Sequence, residues 1–207
     1  MYHYAGNNPI NYTDPDGRIA FAIPLIVIGA EELGKALVAA VCTVIAYHAI
    51  KQEAKIISQA IADSQARRKE QPENFVYHST SFQPFVDSLM TDGNSAINKS
   101  KTDPKSRFGQ QFYVASDPST ARAEASAPGL VIKFKMSENA RILDLTDSST
   151  AKKLGYSQGM THDETQKLMN SWNLAGVDAI RYPSEKNPGG FNYAVINPTI
   201  LKPVGVE

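Results

Sequence analysis

The chain has one cysteine, Cys42, and four histidines, His3, His48, His78 and His162, in 207 residues. A lone thiol excludes an intrachain disulfide framework. Histidines scattered this way, without metal-ligand spacing, exclude a structural zinc site, and no nucleophile triad stands out. An excess of charge is also missing, because Lys plus Arg and Asp plus Glu each total 21. A neutral total requires no nucleic-acid partner, although a local basic face survives within it. The apolar stretch after Arg18 falls short of the roughly 18 uninterrupted residues of a membrane span, since Glu31, Glu32 and Lys35 break it.

Residues 1–17 instead carry turn formers, Gly6-Asn7-Asn8-Pro9 and Asp14-Pro15-Asp16-Gly17, with no helical period. Residues 18–50 form an apolar segment that predicts a helical pair. Residues 51–74 predict an amphipathic linker helix, with Ile57 and Ile61 on one face, Arg67, Arg68 and Lys69 suited to its last turn, and Pro72 as its stop. A compact domain is expected over 75–207. It reads as short strands at F-V-Y-H-S-T-S, F-Y-V-A, L-V-I-K-F-K-M, R-I-L-D-L-T-D, G-V-D-A-I-R-Y-P and F-N-Y-A-V-I-N-P, with small helices at 82–90, 119–127, 148–154 and 163–174. No βαβ rhythm repeats, so the class is α+β. The polar stretch 92–106 reads as a mobile surface loop, and 198–207 as a tail.

The centre of this domain is 107–124, R-F-G-Q-Q-F-Y-V-A-S-D-P-S-T-A-R-A-E. A turn runs into the strand Phe112 to Ala115, and Ser116-Asp117-Pro118 caps the following helix. That order gathers Arg107, Tyr113 and Glu124 around one pocket. Glu124, carried on a helix, is a candidate carboxylate, Arg107 a candidate planar cation and the ring of Tyr113 a flat face, while Ser184 and Asn192 offer neutral hydrogen bonds. Asp144 and Asp147 read as caps and Trp172 as core.

Three resemblances give these residues a context. Y-x-Y-A-G-N-N-P-x-N-x-x-D-P-D-G over Tyr2–Gly17 resembles the last motif of the Rhs/YD-repeat shell of polymorphic toxins. It implies a secreted effector delivered to the cytoplasm of a target cell in interbacterial competition. Its partners would be the Rhs shell before release and a cognate immunity protein afterwards, and residues 19–50 would make a transient membrane contact. Y-H-S-T-S, F-G-Q-Q-F-Y-V-A-S-D and N-Y-A-V-I-N-P look like the three motif strands of the ADP-ribosyltransferase fold, histidine–tyrosine branch. That resemblance implies a split fold of two small packed sheets and NAD as cofactor. Tyr77 and His78 would lie at the adenine ribose and Tyr113 against nicotinamide. Asn192 would stand where the family places a glutamate. R-F-G, F-Y-V-A, A-R-A-E, R-I-L-D-L-T-D and G-V-D-A-I-R-Y-P-S resemble the RES domain, which consumes NAD, with signature residues on Arg107, Glu124 and Ser184.

The expected site is therefore Glu124, Tyr113, His78 and Asn192 as catalytic residues, with Tyr77, Arg107 and Ser184 added for binding NAD and no metal. The reaction expected first is transfer of ADP-ribose to a macromolecule, protein or RNA, because Y-H-S-T fits the histidine branch and the basic loop 98–107 suits an acceptor. Destruction of NAD is the alternative, and a non-enzymatic membrane-active or binding tip the second.

Overall fold

A computed structural model describes residues 31–69, 74–125 and 129–207. The Rhs-like motif and the first part of the apolar segment lie outside the described residues. The chain divides into two units, Met1–Lys55 and Ile56–Glu207.

Helix α1 (Glu31–Lys69) runs unbroken where two helical elements were expected. No proline falls within it, and Ala, Ile, Glu, Gln and Lys sustain it. In the first unit it exposes Val44, Tyr47 and Ile50. Among the described residues no helix is long and apolar enough to cross a membrane. In the second unit its Ile57, Ala60 and Ser64 recur at helical spacing and are buried. Ile57 and Ala60 pack with Leu143, Leu145 and Trp172, and Arg67 pairs with Asp144 at 3.5 Å. The compact unit thus starts inside the expected linker, because that helix supplies core residues.

Seven strands follow: β1 (Phe75–Thr80), β2 (Phe112–Ala115), β3 (Leu130–Met136), β4 (Ile142–Asp144), β5 (Ala179–Pro183), β6 (Phe191–Val195) and β7 (Leu201–Val206). They form one sheet in the order β4-β5-β6-β2-β1-β3-β7, antiparallel except for β4 with β5. The expectation of two packed sheets is corrected here, although the mixed sheet with short helices keeps the α+β class. The reason is the β1–β2 seam. Six residue pairs register β1 on β3 and four register β2 on β6, but only Tyr77 and Ala115 pair across the seam. The two halves are splayed, yet still one hydrogen-bonded sheet.

Alternation sends Phe112, Val114, Ile132, Phe134 and Val195 to one face, beneath Val86 and Leu89 of α2 (Gln83–Asp92). It sends Tyr113, Ile180, Tyr182 and Ala194 to the other, with Leu154, Tyr156, Leu168 and Trp172 from around α4 (Ser148–Lys153) and α5 (His162–Ser171). Two departures follow from local chemistry. The tail expected after Pro198 contains β7, which accommodates Pro203 because it is an edge strand. The stretch read as a mobile loop holds two 3-10 turns, Gly93–Ala96 and Lys99–Lys101. It is tied down by Lys99 Nζ to the Ile196 carbonyl (2.6 Å) and by Gln166 Nε2 to the carbonyls of Pro104 and Ser106 (2.8 and 2.6 Å).

Candidate active site

Where β1 and β2 diverge, the sheet leaves a cavity of about 560 Å³, within the size range of small-molecule sites. Tyr77 and Ala115 pair across the seam, Ala115 pairs with Asn192, and Asn192 pairs with Tyr182. Paired residues share a face, so these side chains lie on the cavity side together with Tyr113. His78 borders the cavity, but its ring lies against Phe112 (4.7 Å between centroids) and Phe85 (5.9 Å), both of the opposite core. Its Nδ1 bonds the Tyr113 carbonyl at 2.8 Å, stitching β1 to β2 beside the sparse ladder. Burial holds the imidazole below its usual pKa despite that bond. The ring is therefore neutral at pH 7, with Nδ1 protonated and donating to the carbonyl.

The carboxylate is placed by α3 (Pro118–Glu124). Asp117 caps it, accepting from Thr120 N (2.8 Å), Thr120 Oγ1 (2.6 Å) and Ser116 Oγ (2.8 Å), with Pro118 in the first turn. Donors from Ser119, Thr120 and Ser116 outweigh burial and keep Asp117 ionised well below the ordinary range. The helix ends at Glu124, three residues earlier than expected, ahead of Pro128-Gly129 in the sequence. Glu124 Oε1 accepts from Ser184 Oγ at 2.6 Å and from Asn192 Nδ2 at 2.8 Å. Ser184 Oγ itself accepts from Asn187 N at 2.9 Å, so its single proton is committed to Glu124. Burial works against ionisation of Glu124, but the Ser184 and Asn192 hydrogen bonds, followed by Lys186, leave its carboxyl below the usual glutamate value.

This arrangement sets a pH dependence and a packing limit. A group with a depressed folded pKa contributes stability above its unfolded pKa and loses it as pH falls through the folded one. Activity that depends on ionised Glu124 should thus hold from neutrality down past the usual glutamate value near 4.5 and fall only below it. Removing a donor, in Ser184→Ala, should move that acid limb upward in a pH–rate profile. The second concerns the loop after β5, which docks on α3 through Asn187 Nδ2 to Thr120 Oγ1 (2.7 Å). A Cβ on Gly190 would lie 2.1 Å from Thr120 Oγ1, and Thr120 is fully buried. Gly190→Ala should cost about 2 kcal/mol in denaturant titration and carry Ser184 off Glu124.

Arg107 is 6% exposed. Its Nη1 donates to the Met160 carbonyl at 3.1 Å, and its Nη2 pairs with Glu185 Oε1. The Tyr113 hydroxyl accepts from Phe108 N (2.9 Å) and donates to the Gly109 carbonyl (2.8 Å), closing the turn that carries Arg107. Gly109 sits at φ 70° in that turn, a conformation suited to glycine. Burial drives the Tyr113 phenol far above its usual pKa, so it stays neutral, and its ring face is what it offers a ligand.

Six of the residues singled out from sequence, Tyr77, His78, Arg107, Tyr113, Glu124 and Asn192, border this one cavity, and Ser184 stands directly behind Glu124. Sequence reasoning missed Tyr182, Glu185, Lys186 and His162, which also line it. The pair Glu185-Lys186 directly follows Ser184 and was the available signal. His162 opens a surface helix, and nothing in its spacing marks it. Among the described residues no group of three or more His, Cys, Asp or Glu is placed to hold a metal.

No curated protein matches the chain. The family profile described as RES domain matches residues 98–205, just over half of the chain, from the turns before Arg107 into β7. That span contains Arg107, Tyr113, Glu124, Ser184 and Asn192, so the chain belongs to the RES domain family.

Proposed function

We propose that this protein consumes NAD by breaking the bond between nicotinamide and ribose and passing the ADP-ribosyl group to a small acceptor, water or phosphate. One observation carries the reading: Glu124, held ionised by Ser184 and Asn192, shares a cavity with the buried cation Arg107 and the ring of Tyr113. The RES family is associated with NAD-related activity, which agrees with that chemistry.

The residues suit such a substrate. When the glycosidic C–N bond breaks, its electron pair leaves with the pyridinium nitrogen, neutralising the ring and leaving positive charge on the ribose. The Glu124 carboxylate faces that charge without gaining a proton, because its hydrogen bonds favour the ionised form. Asn192 and Ser184 keep it oriented. Arg107 supplies the fork for phosphate oxygens, and Tyr113 and Tyr77 supply apolar surface for the base. The acceptor oxygen then bonds to the anomeric carbon and its proton passes to solvent.

Transfer to a protein or RNA finds less support. Its distinguishing feature was Y-H-S-T, and His78 spends its Nδ1 on the Tyr113 carbonyl with its ring in the core. The loop expected to face an acceptor is anchored through Lys99 and Gln166. The resemblance at residues 2–17 supports placing this chemistry at the tip of a delivered effector, with a cognate immunity protein over the cleft. Chromatography of NAD incubated with the purified chain, with and without inorganic phosphate, tests the reading. Nicotinamide should appear in step with NAD loss, and intact NAD under both conditions would refute it.

A further inference from the structure

The buried cation of this cavity already holds an anion. Arg107 pairs with Glu185, and the two side chains are 6% and 46% exposed. They are held very differently. Arg107 is buried and fixed by the Met160 carbonyl at 3.1 Å. Glu185 sits on a loop whose backbone is pinned on both sides of it. Ser184 N donates to the Gly190 carbonyl (2.9 Å), Asn187 N to Ser184 Oγ (2.9 Å), and Gly190 N to the Asn187 carbonyl (2.9 Å). The loop therefore keeps its shape if the Glu185 carboxylate rotates into solvent, whereas Arg107 has nowhere to go.

We propose that Glu185 is a displaceable internal anion. It occupies the phosphate position on Arg107 in the free protein, and every anionic ligand that engages Arg107 must replace it. This rests on the NAD reading only for the identity of the natural ligand. A buried guanidinium abandoned by its partner is strongly disfavoured, so the carboxylate leaves only as another anion arrives. Phosphate oxygens match the fork at least as well as a carboxylate. Being tethered, the carboxylate competes at an effective concentration that free ions in a cell do not approach. Glu185 thereby screens out stray inorganic anions, and a dinucleotide that also gains contacts with Tyr113 and Tyr77 overcomes it. An intramolecular competitor weakens all anionic ligands by one common factor and leaves uncharged ligands unaffected. If Glu185 served only to orient Arg107, its loss would weaken anions instead.

The test is calorimetric titration of the full chain and of Glu185→Gln with inorganic pyrophosphate and with ADP-ribose, alongside inhibition of NAD turnover by nicotinamide. Both anions should bind the variant roughly fivefold tighter, by the same factor, with nicotinamide inhibition unchanged. Glu185→Ala should give the same pattern. Equal or weaker anion binding in both variants overturns the proposal, as does a matching change for nicotinamide. Tighter pyrophosphate without any ADP-ribose binding would keep the displaced anion and sink the NAD reading.

Discussion

Glu124→Gln is expected to lower the rate of NAD cleavage roughly 10³-fold, mostly in kcat, which is ~4 kcal/mol of lost transition-state stabilisation. The substitution isolates charge from structure. The amide oxygen it introduces still accepts from Ser184 Oγ and Asn192 Nδ2, which lie 2.6 and 2.8 Å from the native Oε1. Helix α3 stays capped by Asp117, away from the change. Thermal melting should therefore move little while the rate collapses, because a neutral amide cannot offset positive charge developing on the ribose. Calorimetry should find ADP-ribose binding largely intact. A variant that keeps a tenth of the rate would show that the charge of Glu124 does not act on the reacting ribose.

Arg107→Met should act on the other half of the site, raising the KM for NAD about 100-fold with a smaller fall in kcat. The estimate follows from losing charge-assisted hydrogen bonds to phosphate in a position shielded from water. Methionine fills the space, and the orphaned Glu185 side chain, 46% exposed, stays hydrated. The Met160 carbonyl does lose its donor, so a modest drop in stability accompanies the effect. Arg107→Lys should recover only part of the affinity, since a compact ammonium does not reproduce the planar fork that spans a phosphate and the Met160 carbonyl. Steady-state kinetics on both variants separates this from a folding defect. An unchanged KM in Arg107→Met would remove Arg107 from the binding site.

Much of the site was legible because its residues lie on elements with strong local signals. The alternation of Leu130–Met136 and the apolar run Phe112–Ala115 match β3 and β2, and Asp117-Pro118 announced the start of α3. Those elements fix Tyr113 and Glu124 before any tertiary information is added. What escaped depends on pairing between distant segments. Two sheets and one splayed sheet differ by a single pair, Tyr77 with Ala115, which no local pattern encodes. The strand around Pro203 is allowed because, among the described residues, nothing pairs beyond it, a property of the sheet order. Ile57 and Ile61 revealed an apolar face on α1, but not that this face completes the core around Leu143 and Trp172. His78 illustrates the limit from the other side. A motif placed it at the site, while the side chain's direction follows from strand alternation and the rings of Phe85 and Phe112.

The most direct measurement is a mass balance on NAD labelled in its adenine moiety, incubated with the full chain in the presence of cell protein and RNA. Free nicotinamide should equal the NAD lost, all label should stay in small molecules, as ADP-ribose or its phosphate ester, and both signals should vanish in Glu124→Gln. Label retained on precipitated protein or RNA in proportion to the nicotinamide released would contradict this outcome and make the protein a macromolecule-modifying transferase.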